Sequence, residues 1–444
     1  MRTRLICIKS LSLILLLLCS TAANGQTQNP KPQFSGADEI NKQLPGWLKI
    51  GGEYRLRYEG RFNSGGKKEN DDNYFLSRFR LDLTIKPIKH LTFFIQAQDS
   101  QALGFNSKPS PAIHENNFDL RQAYIEWRQS DQKGLAVRAG RQELNFGDQR
   151  LVGSLNWTNT ARTFDAVKVS YAVPKYSFDV FASSVVAIQD GVFDRHRDGN
   201  NFYGAYFAAP KLTPKAKLGA YAYWKTEPFV RGENGRTGDA DTVTVGASLS
   251  YKLASNLDSE LEAALQRGSF ASDSIEAHAV HARLIYSISK KESVPKLLLE
   301  YNHASGDGNP SDGVRGTFDQ LFPTGHAKYG VIDLVGLRNQ HDLRIGSIWQ
   351  ARKRLKIEID YHSFWLARKR DGLYNAGGAL IARSINGTSG RHIAQEADLQ
   401  VNYNMGSGIT LGGGYAYWAP GTFWKKTTPG EPPSFVYTFI NYKF

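Results

Sequence analysis

The residues that could do chemistry in this chain are charged and recur at every second position. Glu53, Arg55, Arg57 and Glu59 form one such run, and Arg78, Arg80 and Asp82 another. Arg121, Arg138, Lys168, Arg283 and Arg344 continue it, with Glu126, Glu260, Glu262, Glu300, Glu358, Asp360, Glu396 and Asp398 as acids in like positions. A period of two places such a run on one face of a strand. Guanidinium groups keep their charge, and their donor fork fits carboxylates, so arginines gathered from neighbouring strands would favour anions. Interleaved acids would hold the arginines extended and limit how firmly a polyanion sticks. The alternative is a ladder of cross-strand ion pairs that only maintains shape.

Other chemistry finds little footing. The two cysteines, Cys7 and Cys19, both fall in the leader described below, which excludes disulfides and thiol chemistry from the mature chain. No HExxH or phosphate-binding glycine loop occurs, and His278 and His281 fall on opposite faces of one strand. Ser287 and His281 share a face with Arg283 and point inward, which argues against a lipase-like pair. Asp307–Gly313 (DGNPSDG) loosely resembles a calcium loop but lacks the later glutamate of an EF-hand, so no cofactor is expected beyond, at most, loop calcium. The chain is expected not to be an enzyme, and no nucleic-acid partner is expected.

The residues between the charges say what positions them. Leu48, Ile50, Tyr54, Leu56 and Tyr58 alternate with the first charged run, and Phe79, Leu81, Leu83 and Ile85 with the second. A strand apolar on one face and ionic on the other suits a membrane barrel whose ionic face lines an aqueous lumen. Eighteen such segments follow from Trp47: 48–59, 74–85, 91–99, 118–128, 135–144, 163–171, 177–186, 200–208, 217–226, 241–251, 257–266, 275–288, 296–303, 340–350, 354–366, 391–403, 409–418 and 434–444. The even count returns the chain to the side where it began.

Connections alternate as well. Short turns are expected at 86–90, 129–134, 172–176, 209–216, 252–256, 289–295, 351–353 and 404–408, on the periplasmic side. Long extracellular loops are expected at 60–73, 100–117, 145–162, 187–199, 227–240, 267–274, 304–339, 367–390 and 419–433. In hydrocarbon every backbone amide needs a partner within the protein, and only a closed sheet supplies that without helices. Trp47, Trp127, Trp224, Trp349, Trp418 and Tyr442 lie near segment ends, as interfacial belts require. The fold class expected is therefore all-β, an 18-stranded antiparallel transmembrane barrel.

The final segment ends on alternating Val436, Ile440, Tyr442 and Phe444. It resembles the closing strand and assembly signal of bacterial outer-membrane barrels, which implies contact with the barrel assembly machinery and with outer-membrane lipid. At the other end Arg2, Arg4 and Lys9 precede an apolar stretch, Leu11–Leu18, and small residues Ala22, Ala23 and Gly25. These mark residues 1–25 as a secretory signal peptide, 26–46 as a periplasmic lead-in too short for a plug domain, and 47–444 as the barrel. The chain's formal charge is +13. After loss of three leader bases it stays basic, which points to an anionic partner.

Two stretches stand apart from the strand grammar. One runs from Gly140-Arg141-Gln142-Glu143-Leu144 through Asp148 and Arg150 to Arg162-Thr163-Phe164-Asp165, and the other from Gly316-Thr317-Phe318-Asp319 through His326 and Lys328 to Gly330, Asp333 and Asn339. Both resemble the alginate export family of outer-membrane barrels, and the resemblance extends over nearly the whole mature chain. It implies an 18-stranded pore passing an anionic uronate polysaccharide down its gradient, through an arginine-rich constriction built partly by an inward loop. On that basis Arg141, Arg150 and Arg162 are constriction candidates, with Asp148 and Asp165 as partners, beside the wall residues Arg55, Arg57, Arg78, Arg80, Arg138 and Arg344. A porin for small solutes, general or anion-selective, is the alternative, and a surface-binding barrel is a third.

Overall fold

The computed structural model describes residues 36–106, 110–131 and 133–444; the expected signal peptide and the lead-in up to residue 35 lie outside them. A short helix, α1 (Gly36–Gln43), precedes the sheet. Among the described residues eighteen long strands follow: β1 (Leu48–Phe62), β2 (Asp72–Ile88), β3 (Leu91–Leu103), β4 (Asn116–Arg128), β5 (Gly134–Gln142), β6 (Phe164–Ala172), β7 (Ser177–Ala187), β8 (Arg195–Thr213), β9 (Ala216–Arg231), β10 (Thr237–Ala254), β11 (Leu257–Phe270), β12 (Asp273–Ser287), β13 (Lys296–Ala304), β14 (Gln340–Arg352), β15 (Leu355–Leu366), β16 (His392–Gly406), β17 (Ile409–Pro420) and β18 (Ser434–Lys443). Each pairs antiparallel with the next, and β18 pairs with β1 from Glu53–Lys443 to Phe62–Ser434, closing the barrel.

The last residue seats against a glycine at the seam. Gly52 exchanges backbone hydrogen bonds with Phe444 at 2.9 and 3.1 Å. A Cβ there would stand 2.3 Å from the Arg80 carbonyl oxygen and 2.5 Å from the Phe444 ring, so any side chain would push the terminus off the seam. α1 packs at the same end: the Asn41 side chain donates to the Ile50 carbonyl at 2.7 Å and accepts from its amide at 2.8 Å.

The outer face is apolar and bare. Leu81, Ile95, Val167, Leu261, Leu265, Ile345 and Ile359 are all exposed. In water a continuous belt of this kind would drive association; in lipid it is the surface that burial demands. The aromatic belt holds for Trp47, Trp127, Trp224 and Trp349, which are exposed. Trp418 departs from it. It is fully buried on the lumen side, 5.3 Å from Trp424 of a second helix, α2 (Thr422–Thr427), and 5.8 Å from Phe364. Its position shares parity with lumen-facing Ala416, which proximity to a strand end does not reveal.

Loop lengths also depart from the regular alternation. β8 to β12 are longer than their hydrophobic segments, so the connections shrink to 188–194, 232–236 and 271–272. The flanking polar residues pair in the sheet and extend it past the lipid. The remaining connections on that side are long, chiefly 143–163, 305–339 and 367–391.

The protein's core lies inside the barrel. Leu144, Phe146, Leu151 and Val152 of the loop 143–163 pack with Phe318, Leu321, Tyr329, Val331, Ile332 and Val335 of the loop 305–339 and with wall residues such as Phe181, Phe202 and Tyr437. The two loops join through a parallel bridge between Val152 and Phe322. Gly153 donates to the Phe322 carbonyl, Phe322 to that of Leu151, and Thr324 to that of Gln149, all at 2.9 Å. Two loops far apart in sequence thus meet inside the barrel and share a buried apolar interface.

Candidate functional site: the lumen and the two loops that cross it

The charged face of β1 to β4 points inward, and Arg55, Arg57, Arg78, Arg80 and Arg121 are buried. Their partners are chiefly loop atoms. Arg55 donates to the carbonyls of Asn156 and Thr158, both at 3.1 Å, and Arg78 to the same two at 2.9 and 3.1 Å. Arg57 donates to the Trp157 carbonyl at 2.6 Å, lies 4.0 Å over the Trp157 ring and pairs with Glu59 at 2.8 Å. Arg80 donates to the Asn156 side-chain oxygen at 3.0 Å and to Gln98 at 2.7 Å. Arg121 joins Glu143 and Gln96, and Arg78 joins Glu53. A fork that could meet a carboxylate here meets the open carbonyls of residues 156–158.

Asn159 completes this anchor. Fully buried, it donates to the carbonyls of Ser77, His114 and Gln101 at 2.9, 2.9 and 3.3 Å. Trp157 stacks face to face on His326 of the other loop, with centroids 3.7 Å apart, so the two loops lock by ring contact as well as by backbone. Nothing in the strand alternation signals Asn156, Trp157 or Asn159; their polar and aromatic types inside a loop were the available hint.

The three constriction candidates sit in different settings, Arg141 at the end of β5 and Arg150 and Arg162 in the loop 143–163. Arg141 forms a two-pronged pair with Asp165 at 2.8 and 3.2 Å and donates to the carbonyls of Leu120 and Asp194, which ties β4, β5 and β6 to the connection 188–194. Arg150 is central: it contacts Asp148 at 3.2 Å, Glu262 at 3.4 Å, Asn302 at 3.4 Å and the Tyr329 hydroxyl at 3.1 Å, joining both loops to β11 and β13. Burial opposes its charge, but Tyr329, Glu300, Glu262 and Asp148 more than offset this and raise its pKa. The Arg162 guanidinium donates to the carbonyls of Gly153 and Pro323, at 3.2 and 3.1 Å, and burial pulls it down to about 10, still charged at neutral pH.

On the wall, Arg138 pairs with Glu126 at 2.6 Å and Arg344 with Asp360 at 2.8 Å. Lys328 reaches Asp148 at 2.9 Å, and His326 faces Asp333 at 2.9 Å, placing both in loop packing. The carboxylates of Asp307 and Asp312 turn back to accept from the amides of Asn309 and Val314. Among the described residues no group of three or more His, Cys, Asp or Glu side chains is set to hold a metal ion.

The loop acids give the docking a pH dependence. Burial would raise the Asp319 carboxyl, but the Lys225 ammonium at 2.8 Å and Arg338 overcome this and hold it at about 2. Asp148 is likewise held low, burial being outweighed by Lys328 and Arg150. A carboxylate whose folded pKa lies below its unfolded value adds stability above the unfolded value and loses it as pH falls through the folded one. With an unfolded value of about 3.9, both loops are expected to keep full amide protection from neutral pH to about pH 4 and to lose it only on further acidification. Hydrogen exchange against pH tests this; release already at neutral pH would contradict it.

An 18-stranded closed sheet with a lipid-compatible outside and an ionic lumen is a passive channel of the bacterial outer membrane. The alginate export family matches residues 46–437, nearly all of the barrel, and the chain belongs to that family. No curated protein sequence matches it. Among solved structures it is similar to the outer membrane protein OpdK of Pseudomonas aeruginosa, with 12% identity over 89% of this chain and 98% of that one and a TM-score of 0.62. OpdK with vanillate gives a TM-score of 0.60 at 12% identity over the same shares. OccAB4 of Acinetobacter baumannii gives 0.58 at 10% identity, again over 89% and 98%. At such identities the likeness shows the fold alone.

Proposed function

We propose that this protein is a diffusive channel for small anionic solutes, carboxylates foremost, and that it does not pass a folded or bulky polymer. The observation that carries this reading is the pair of interlocked loops inside the barrel. They share a buried apolar core and are held by Arg55, Arg57, Arg78, Arg80 and Arg150. A lumen so occupied favours solutes of limited cross-section. The similarity to OpdK, solved with vanillate, is in keeping with it. Family membership favours the second reading, passage of a uronate polymer; for that, the loops would have to leave their arginine anchors.

Liposome swelling separates the two. Reconstituted protein is expected to admit small mono- and dicarboxylates faster than neutral sugars of equal size and to exclude oligouronates. Admission of long oligouronates at rates like those of the monomer would overturn the proposal.

A further inference from the structure

The arginine rows are occupied by the loop, so the water-facing basic charge lies elsewhere. Lys49, Lys217, Lys252, Lys296, Lys356 and Lys443 each fall within three residues of a strand end, all on the side of the short turns. Each shares lumen parity with buried residues of its own strand: Lys49 with Arg55 and Arg57, Lys217 with Tyr221 and Tyr223, Lys252 with Thr242 and Thr244, Lys296 with Glu300 and Asn302, Lys356 with Asp360 and His362, and Lys443 with Phe435 and Tyr437. They come from β1, β9, β10, β13, β15 and β18 and so stand along the arc of the rim that runs from β9 through β18 to β1.

Lys252 pairs with Asp258 at 3.1 Å and Lys356 with Glu358 at 2.9 Å. Lys49, Lys217, Lys296 and Lys443 are exposed, and among the described residues none of them forms an ion pair. The adjoining turns add Lys89, Lys133, Lys175, Lys215, Lys290 and Lys353, against only Asp131 and Glu292 as acids.

From this placement we infer that the anion filter of the channel is a lysine collar at the mouth on the side of the short turns, not the arginine rows. The collar recruits small carboxylates, multivalent ones most strongly, from that side. Mobile, hydrated ammonium groups suit this task because they attract without holding a ligand in a fixed fork. A net excess of one sign at a channel mouth raises the local concentration of counter-ions and is screened by salt. This inference rests on the channel reading above.

Single channels in planar bilayers under a salt gradient test it. The wild type is expected to prefer chloride over potassium at about 0.1 M and to lose much of that preference near 1 M, where the screening length falls from about 10 to 3 Å. A Lys49→Gln, Lys217→Gln, Lys296→Gln, Lys443→Gln variant should reduce the preference, and the matching glutamate set should reverse it. Lys68→Glu, at an exposed position on the opposite side, should change little. Heat-modifiable migration confirms that each variant is a folded barrel. A conducting wild type with no anion preference, or collar variants with unchanged reversal potential, overturns the collar while leaving the channel standing. A protein that does not conduct at all sinks the channel reading and the collar with it.

Discussion

Replacing residues 146–160 with a short glycine-serine link is expected to raise single-channel conductance several-fold and to sharpen anion preference at the same time. The junction is geometrically mild. The Ser154 amide donates to the Asn145 side chain at 2.7 Å and the Arg162 amide to the Ser154 carbonyl at 2.7 Å, so the cut ends already lie close together. The barrel ladder does not run through this segment, and closure between β1 and β18 is untouched. Two effects then add. The loop 305–339 loses the Val152–Phe322 bridge and the Trp157–His326 stack that hold it inside the barrel. Arg55, Arg57, Arg78, Arg80 and Arg121 lose the carbonyls and side-chain oxygen they now contact and become available to permeant anions. An 18-stranded barrel freed of its inner loops encloses a water-filled bore. Bilayer recordings decide the matter: conductance within error of the wild type would show that these loops do not limit flow.

Alternation located all eighteen strands, because a side-chain period of two under lipid on one side leaves little freedom of assignment. The same alternation placed Arg55, Arg57, Arg78 and Arg80 on the lumen side. It could not say what they would meet there. Their partners are backbone carbonyls of a loop about a hundred residues later in the chain, and a carbonyl carries no sequence signature. The reach of β8 to β12 beyond the membrane was equally hidden, since Asp-, Gly- and Arg-rich flanks such as 195–200 read as loop when judged by hydropathy. Asp165 beside Arg141 and Asp148 beside Arg150 were reached through the family resemblance, not through alternation. The four-way contact of Arg150 with two loops and two strands was reached by neither, for it exists only once the barrel has closed.

That contact yields the second large effect. Arg150→Ala is expected to detach the loops without unfolding the barrel. Arg150 is buried, and around it stand Asp148, Glu262 and the Tyr329 hydroxyl, with Glu300 near. Removing one partner of a buried ionic network leaves the remaining charge uncompensated, at a typical cost of about 3–5 kcal/mol. The strand ladder can absorb none of this, so the loops must: they admit water, and the carboxylates recover hydration. Amide exchange is therefore expected to accelerate by orders of magnitude in residues 146–155 and 318–332 while the strands keep their protection, and channel recordings should become noisy with openings larger than those of the wild type. Arg150→Lys keeps the charge but not the planar fork and should fall between the two. If charge compensation is the cause, adding Glu262→Gln to Arg150→Met should restore part of the lost protection, since the double change removes both members of the pair. Loop amides as protected in Arg150→Ala as in the wild type would show instead that the apolar core between the loops suffices to hold them, and that the arginine is dispensable to it.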